Sequence, residues 1–81
     1  MKALITGASS GIGYEMAIYL ADLGYDLIIV ARSKEKLLKL KQEVNTNVTI
    51  YDYDLSDTNN VLKLYDKVKK ENIDILINDA G

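Results

Sequence analysis

The residues with the clearest chemical meaning form a glycine-rich run near the start of the chain. Residues 6–13 read Thr-Gly-Ala-Ser-Ser-Gly-Ile-Gly and lie between an apolar segment and an amphipathic one. Gly7 allows a tight turn, Gly11 lets the backbone approach a phosphate group, and Gly13 lets a following helix pack closely on the sheet. The N-terminus of that helix offers free N–H groups and a partial positive charge to an anion. The run is therefore typical of a dinucleotide site.

Two serines and an isoleucine complete the set of candidate contacts in this run. Ser9 and Ser10 add hydroxyl donors, and Ile12 lies at the start of the helix. A glycine-rich turn without a ligand is the simpler alternative, but the position after a first strand and before a helix favours binding. A Walker P-loop needs lysine after its last glycine, whereas Tyr14 follows Gly13, so that class of site is excluded.

Short apolar runs alternate with amphipathic segments and predict the elements that position this loop. The predicted strands cover residues 3–6, 26–31, 48–53 and 73–78. Three of these runs are nearly continuous in Leu, Ile and Val, which is typical of parallel strands buried on both faces. The three predicted helices carry apolar residues at helical spacing, namely Ile12, Met16, Tyr19, Leu20 and Leu23, then Leu37, Leu40 and Val44, then Val61, Leu64, Tyr65 and Val68. Gly24 is the predicted C-terminal stop of the first helix, and Ser33 is the predicted N-cap of the second. The third helix is predicted to begin after Ser56 or Asp57 as N-cap and to end at Asn72.

This order of elements predicts an α/β fold. Right-handed crossovers produce a parallel sheet with helices on both faces. In a doubly wound arrangement the strand order would be 3-2-1-4, with the first two helices on one face and the third on the other. We therefore predict a partial Rossmann fold, as one dinucleotide-binding half-domain over residues 1–81.

Composition removes several classes of function. The 81 residues include no cysteine and no histidine, which excludes disulfides, zinc fingers, zinc enzymes and Ser-His-Asp hydrolases. The net charge of −2 argues against a nucleic-acid partner, and no apolar run approaches the roughly 18 residues of a membrane helix. We expect a soluble, cytoplasmic protein. The acidic residues Asp52, Asp54 and Asp57 are expected to be solvated, so we assign no metal.

The glycine spacing inside Thr-Gly-Ala-Ser-Ser-Gly-Ile-Gly resembles the cofactor motif of short-chain dehydrogenases/reductases. Two further motifs are similar to the family's and follow in the same order along the chain. Asp54-Leu55 comes just after the third predicted strand, where the family's Asp contacts adenine, and residues 78–81 read Asn-Asp-Ala-Gly, similar to the family's Asn-Asn-Ala-Gly. The resemblance covers all 81 residues, but only the cofactor half of a family member. The candidate cofactor contacts are Gly7, Ser9, Ser10, Gly11, Ile12, Gly13, Arg32, Ser33, Asp54, Leu55, Asn78, Ala80 and Gly81.

The end of the second predicted strand bears on the choice between NAD and NADP. An acidic residue there would accept hydrogen bonds from both ribose hydroxyls, which suits NAD. This chain instead has Ala31-Arg32-Ser33, and a guanidinium can bind a 2′-phosphate through two parallel hydrogen bonds. We predict NADP, with NAD less favoured; a solvated loop arginine is the alternative.

The resemblance implies an NAD(P)-dependent oxidoreductase that transfers hydride between nicotinamide and a carbonyl or alcohol substrate. The family's Ser and Tyr-x-x-x-Lys follow the Asn-Asn-Ala-Gly motif and are absent from this chain, so we assign no catalytic residue and expect binding without turnover. Tyr65 and Lys69 have the Tyr-x-x-x-Lys spacing, but they fall in the third helix, where core packing would explain the tyrosine. The alternatives are a non-catalytic dinucleotide-binding module and an inactive remnant.

The fourth strand carries two further expectations. Its pattern is that of a buried central strand although it lies at the sheet edge, and an exposed apolar edge favours homo-oligomers. Asp79 replaces the family's second asparagine, and a carboxylate accepts but does not donate hydrogen bonds. We therefore expect altered backbone pairing near Asp79.

Overall fold

The computed structural model describes residues 1–9 and 11–79, so Ser10, Ala80 and Gly81 of the predicted site lie outside the described residues. Strands and helices alternate through these residues. They are β1 (Lys2–Thr6), α1 (Gly11–Asp22), β2 (Asp26–Val30), α2 (Lys34–Glu43), β3 (Val48–Tyr51), α3 (Thr58–Val68) and β4 (Ile75–Asn78).

The four strands form a parallel sheet in the order β3-β2-β1-β4, which confirms the predicted topology. The register aligns the carboxyl ends of the strands. Thr6 pairs with Val30 on one side and with Asn78 on the other, and Val30 pairs with Tyr51. The loops that follow the strands therefore meet at one edge of the sheet.

Each face of the sheet is covered by the helices that the crossover rule assigns to it. Ile5 and Ile29 are fully buried on the face that packs against α1 and α2. On the opposite face, Leu4 and Ile28 pack with Leu64 of α3. Alternate residues of one strand thus enter two different cores, which explains why β1 and β2 read as continuous apolar runs.

The buried faces of two helices differ from the prediction. In α1 the buried residues are Gly13, Ala17, Leu20 and Ala21. Ile12 and Tyr19 are exposed, as is Leu23 just after the helix. Small residues let α1 lie close to the sheet, so the contact line follows Ala17 and Ala21 and leaves the larger side chains outside. In α3 only Leu64 is buried. Tyr65 is 63% exposed and Val61 is 44% exposed, so the prediction that core packing explains Tyr65 is wrong.

The predicted helix caps are largely confirmed. Ser33 caps α2 and accepts a hydrogen bond from the Lys36 backbone N–H at 3.4 Å. Asp57 rather than Ser56 caps α3. Gly24, with φ of 93°, follows the end of α1 as predicted.

Several element boundaries differ from the prediction. Strand β1 begins at Lys2 rather than at residue 3, and β2 ends at Val30 rather than at residue 31. Helix α3 ends at Val68, before the predicted stop at Asn72. Strand β3 ends at Tyr51, and β4 begins at Ile75. Strands β3 and β4 are bounded where their pairing with β2 and β1 ends, although Tyr53 and Ile73 extend the apolar pattern beyond them. Residues 69–72, after α3, are Lys-Lys-Glu-Asn and carry no apolar pattern. Within residues 1–9 and 11–79, no helix is both long enough and apolar enough to cross a bilayer.

Candidate functional site

A groove of about 660 Å³ lies at the carboxyl edge of the sheet, and its size falls within the range of small-molecule sites. All four loops that follow the strands contribute to it. It also lies at the topological switch point of the sheet, because β2 and β3 lie on one side of β1 and β4 lies on the other. Ligands in folds of this kind bind at that point. The lining residues are Gly7, Ser9, Gly11, Val30, Ala31, Arg32, Tyr53, Asp54, Leu55, Ser56 and Asp79.

The glycine loop leaves β1 through a turn that depends on glycine. Gly7 and Gly11 have φ of 72° and 61°, in the left-handed region that residues with a Cβ rarely adopt. The backbone N–H groups of Gly7 and Ala8 both donate to the carbonyl oxygen of Val30, at 2.8 and 3.3 Å. The turn is therefore held against the end of β2, and α1 begins at its far end.

Gly13 is required by a close approach between α1 and this turn. A Cβ at Gly13 would lie 2.5 Å from the carbonyl oxygen of Gly7, closer than real Cβ contacts occur. The same Cβ would lie 3.2 Å from Oδ2 of Asp79. The glycine therefore lets α1 pack on the backbone just past β1 and on the residue just past β4. The prediction had named only a contact between the helix and the sheet.

Hydrogen bonds tie the ends of β1, β4 and α1 together. The Asp79 carboxylate accepts from the Gly13 backbone N–H at 2.8 Å, and the Asp79 N–H donates to the Thr6 carbonyl at 3.1 Å. The Thr6 hydroxyl donates to Oδ1 of Asn78 at 2.7 Å. Thr6 and Asn78 remain paired in the sheet, so the expected disturbance of backbone pairing near Asp79 does not occur.

Asp54 lies in the loop after β3, in a turn of its own. Its Oδ1 accepts from the Ser56 hydroxyl at 2.7 Å and from the Ser56 N–H at 3.0 Å. These hydrogen bonds hold the pKa of the Asp54 carboxyl below its usual value, and the positive charge of Arg32 adds to the effect. Asp54 is therefore an ionised acceptor on one wall of the groove, near a guanidinium.

The structure brings together most of the described residues that the sequence predicted. Those that line the groove are Gly7, Ser9, Gly11, Arg32, Asp54 and Leu55. Ile12, Ser33 and Asn78 lie next to lining residues along the chain, and the Gly13 N–H donates to Asp79, which lines the groove. Of these, the Ser33 hydroxyl caps α2 and the Asn78 amide oxygen is bound to Thr6.

Five residues that line the groove were not among the predicted cofactor contacts, namely Val30, Ala31, Tyr53, Ser56 and Asp79. Two of them contact their neighbours at the loop after β3. Tyr53 stacks on Tyr51, with ring centroids 5.4 Å apart and planes 20° apart, and Ser56 holds Asp54. Extending β3 to residue 53 made Tyr53 a strand residue, whereas the strand ends at Tyr51. The position of Tyr53 directly before Asp54 is the signal that could have identified it.

The Tyr65 and Lys69 pair lies on α3 and at its C-terminal end, outside the lining of the groove. Tyr65 is mostly exposed, and Nζ of Lys69 bonds to Oδ1 of Asp66 at 3.1 Å. The two side chains therefore do not form an acid/base pair beside the candidate site.

Comparison with known proteins identifies the family. The family model described as short chain dehydrogenase matches residues 1–81. The chain is 39% identical to the very-long-chain 3-oxoacyl-CoA reductase of Candida albicans over 98% of its length, and 40% identical to the uncharacterized oxidoreductase DltE of Bacillus subtilis over 96%. The structure of a short-chain dehydrogenase from Sphingobium yanoikuyae in complex with NADPH covers 99% of the chain at 38% identity, with a TM-score of 0.88.

In each case the chain corresponds to a minor part of the relative. It spans 24% of the Candida albicans reductase, 31% of DltE and 33% of the Sphingobium yanoikuyae chain. The family match nevertheless extends over residues 1–81 and so includes the glycine loop, the Asp54 turn and the end of β4. The chain therefore belongs to the short-chain dehydrogenase family.

Proposed function

We propose that this chain is the NADP-binding portion of a reductase that transfers hydride between NADP(H) and a carbonyl or alcohol substrate. The observation that carries the proposal is the groove, in which a glycine turn at a helix N-terminus and an arginine lie on the same sheet edge. Family membership supports an NAD(P) cofactor, and the NADPH complex of the Sphingobium yanoikuyae relative supports the phosphorylated form.

The residues present fit a dinucleotide. The missing Cβ at Gly13 allows the turn and the start of α1 to approach each other. The N-terminus of α1, at Gly11, therefore lies at one end of the groove. We assign the pyrophosphate to this end, with Ser9 as a hydroxyl donor. An anion is stabilised there by the N–H groups and by the partial positive charge of the helix N-terminus.

The opposite part of the groove suits an adenosine phosphate. Arg32 offers a fork of N–H donors to a 2′-phosphate. Tyr53 and Leu55 supply apolar surface for a base, and the ionised Asp54 accepts a hydrogen bond from an amino group. We assign the adenosine end to these residues.

When bound, NADP would supply the hydride donor or acceptor, and the residues of this chain would bind and orient it. The family's catalytic Ser and Tyr-x-x-x-Lys have no counterparts in the groove that the described residues form. We therefore expect the 81-residue chain to bind cofactor without turnover.

The choice of NADP over NAD is tested with Arg32→Asp. Loss of a charge-assisted hydrogen bond costs about 1.5–3 kcal/mol, so we expect NADPH affinity to fall at least about tenfold. NADH affinity should not fall, because NADH has no 2′-phosphate and the new carboxylate can accept hydrogen bonds from its ribose hydroxyls. Lys39→Asp makes the same charge change on α2, outside the groove lining, and should affect neither cofactor.

Fluorescence titration of both reduced cofactors against the wild type and the two variants provides the measurement. If Arg32→Asp lost affinity for NADPH and for NADH equally, the NADP assignment would be rejected. If the wild type bound neither cofactor, the inactive-remnant alternative would replace the proposal.

We also propose that this chain self-associates through β4. Leu76 is 63% exposed, and in the described part of the chain β4 pairs with β1 alone. An apolar strand with one unpaired edge is a template for another copy. Sedimentation should show concentration-dependent association that Leu76→Lys reduces, and a stable wild-type monomer at high concentration would contradict it. The cytoplasmic location remains a prediction from composition.

A further inference from the structure

The carboxylate of Asp79 lies at the N-terminus of α1, the place to which the proposed function assigns the pyrophosphate. Oδ2 accepts the Gly13 N–H at 2.8 Å, and Asp79 also lines the groove. One N–H group of the helix start is therefore already occupied by an acceptor of the chain itself. That acceptor carries a negative charge into a site that must hold a second negative group.

The position of this carboxylate is set by its surroundings. The Asp79 backbone N–H is bound to the Thr6 carbonyl, which holds the residue at the end of β4. Gly13 allows the approach because it has no Cβ, and a Cβ there would lie 3.2 Å from Oδ2. The hydrogen bond therefore joins residues 66 positions apart and fastens the start of α1 to the sheet.

By electrostatics, the contact between Asp79 and Gly13 should favour the ligand-free fold and disfavour binding of an anion. A carboxylate at a helix N-terminus satisfies a free N–H group and interacts favourably with the helix dipole. The same charge repels an anion that binds to the neighbouring N–H groups. Asparagine at this position would keep the acceptor oxygen without the charge.

We infer that Asp79 sets the affinity of this site: its charge stabilises the junction between the glycine loop and α1 in the ligand-free protein and weakens dinucleotide binding. This inference rests on the proposed function, because it requires an anion at the N-terminus of α1. Asp79 acts through the Gly13 N–H and the local charge and has no assigned part in catalysis.

The test compares the wild type with Asp79→Asn in NADPH titrations at low and high ionic strength. We expect Asp79→Asn to bind about three- to fivefold more tightly at low ionic strength, with the gain shrinking as salt screens the charge. Asp22→Asn removes the same charge from the last residue of α1, about 16 Å along the helix axis, and should leave affinity unchanged. Asp79→Ser is a second neutral variant, whose shorter side chain offers a hydroxyl oxygen as acceptor.

Thermal unfolding without ligand gives the second readout. Asp79→Asn should unfold at a temperature a few degrees lower than the wild type, because the helix loses a favourable charge. Tighter NADPH binding by the neutral variants than by the wild type, together with lower stability of Asp79→Asn, supports the inference.

The two proposals fail in different ways. If the wild type binds NADPH and both neutral variants bind equally or more weakly at low salt, the role of Asp79 is overturned and the proposed function remains. If the wild type and both variants all fail to bind, the proposed function is overturned, and the inference falls with it.

Discussion

Replacing Gly13 with alanine tests whether the close contact between α1 and the glycine turn creates the binding site. The new Cβ would lie 2.5 Å from the Gly7 carbonyl oxygen, whereas ordinary contacts begin at 3.4 Å. The neighbour is backbone and cannot rotate away, so α1 and the turn must separate by about 1 Å. The N-terminus of α1 would then shift relative to the turn and to the groove that Gly7 and Gly11 line.

Two opposing terms set the size of the stability change. Overpacking of this kind costs about 1–3 kcal/mol. Alanine is about 1 kcal/mol more favourable than glycine inside a helix, which offsets part of the cost. We expect a net loss of about 1 kcal/mol in the free energy of unfolding, or about 4–8 °C in the thermal midpoint of a chain of this size.

The effect on binding should be larger than the effect on stability. Displacing one charge-assisted hydrogen bond to the pyrophosphate costs about 1.5–3 kcal/mol, which corresponds to a loss of NADPH affinity of about 10- to 150-fold. Fluorescence titration measures this loss, and circular dichroism on the same samples measures the thermal midpoint.

Gly24→Ala is the matched control. Gly24 has φ of 93° and open space where a Cβ would lie, so alanine there strains the backbone by about 1–2 kcal/mol without a clash. Both variants should lose stability, but only Gly13→Ala should lose binding. Wild-type NADPH affinity in Gly13→Ala, or equal losses of affinity in both variants, would refute the reasoning.

Three further predictions concern α3 and its preceding turn. Asp57→Ala should lower the free energy of unfolding by about 1 kcal/mol in chemical denaturation, because the carboxylate that accepts the Asn59 N–H at 2.9 Å is lost, whereas Asp57→Asn should retain most of the stability. Tyr65→Phe should change neither stability nor NADPH binding, because the ring is 63% exposed; a clear loss of either would contradict its position. The pKa of Asp54 is lowered in the folded state, so its ionisation stabilises the fold above the usual value of 3.8, and this contribution disappears as pH falls through the lowered pKa. The stability difference between wild type and Asp54→Ala should therefore persist at neutral pH and shrink in acid, and a difference that grows below pH 3.8 would contradict the shift.

The order of the elements, the strand order and the glycine turn follow from the sequence by itself. Continuous apolar runs in β1 and β2 indicate strands covered on both sides. Right-handed crossovers assign the helices to the two faces, and a doubly wound arrangement that starts from a glycine turn after β1 gives the order 3-2-1-4. The left-handed turn at Gly7 and the caps at Ser33 and Asp57 are local features, set by the residues at and beside those positions. Each was predictable because its cause lies within a few residues along the chain.

Tertiary structure decided which helix residues are buried and which residues line the groove. Helical spacing marked Tyr65 as a core residue, but the position of α3 on the sheet leaves only Leu64 buried on that helix. Tyr53 became a lining residue because β3 stops pairing at Tyr51. The contact between Gly13 and Asp79 exists because the register of β1 and β4 brings two loops together. Such contacts depend on the relative placement of packed elements, which the local pattern of residue types does not contain.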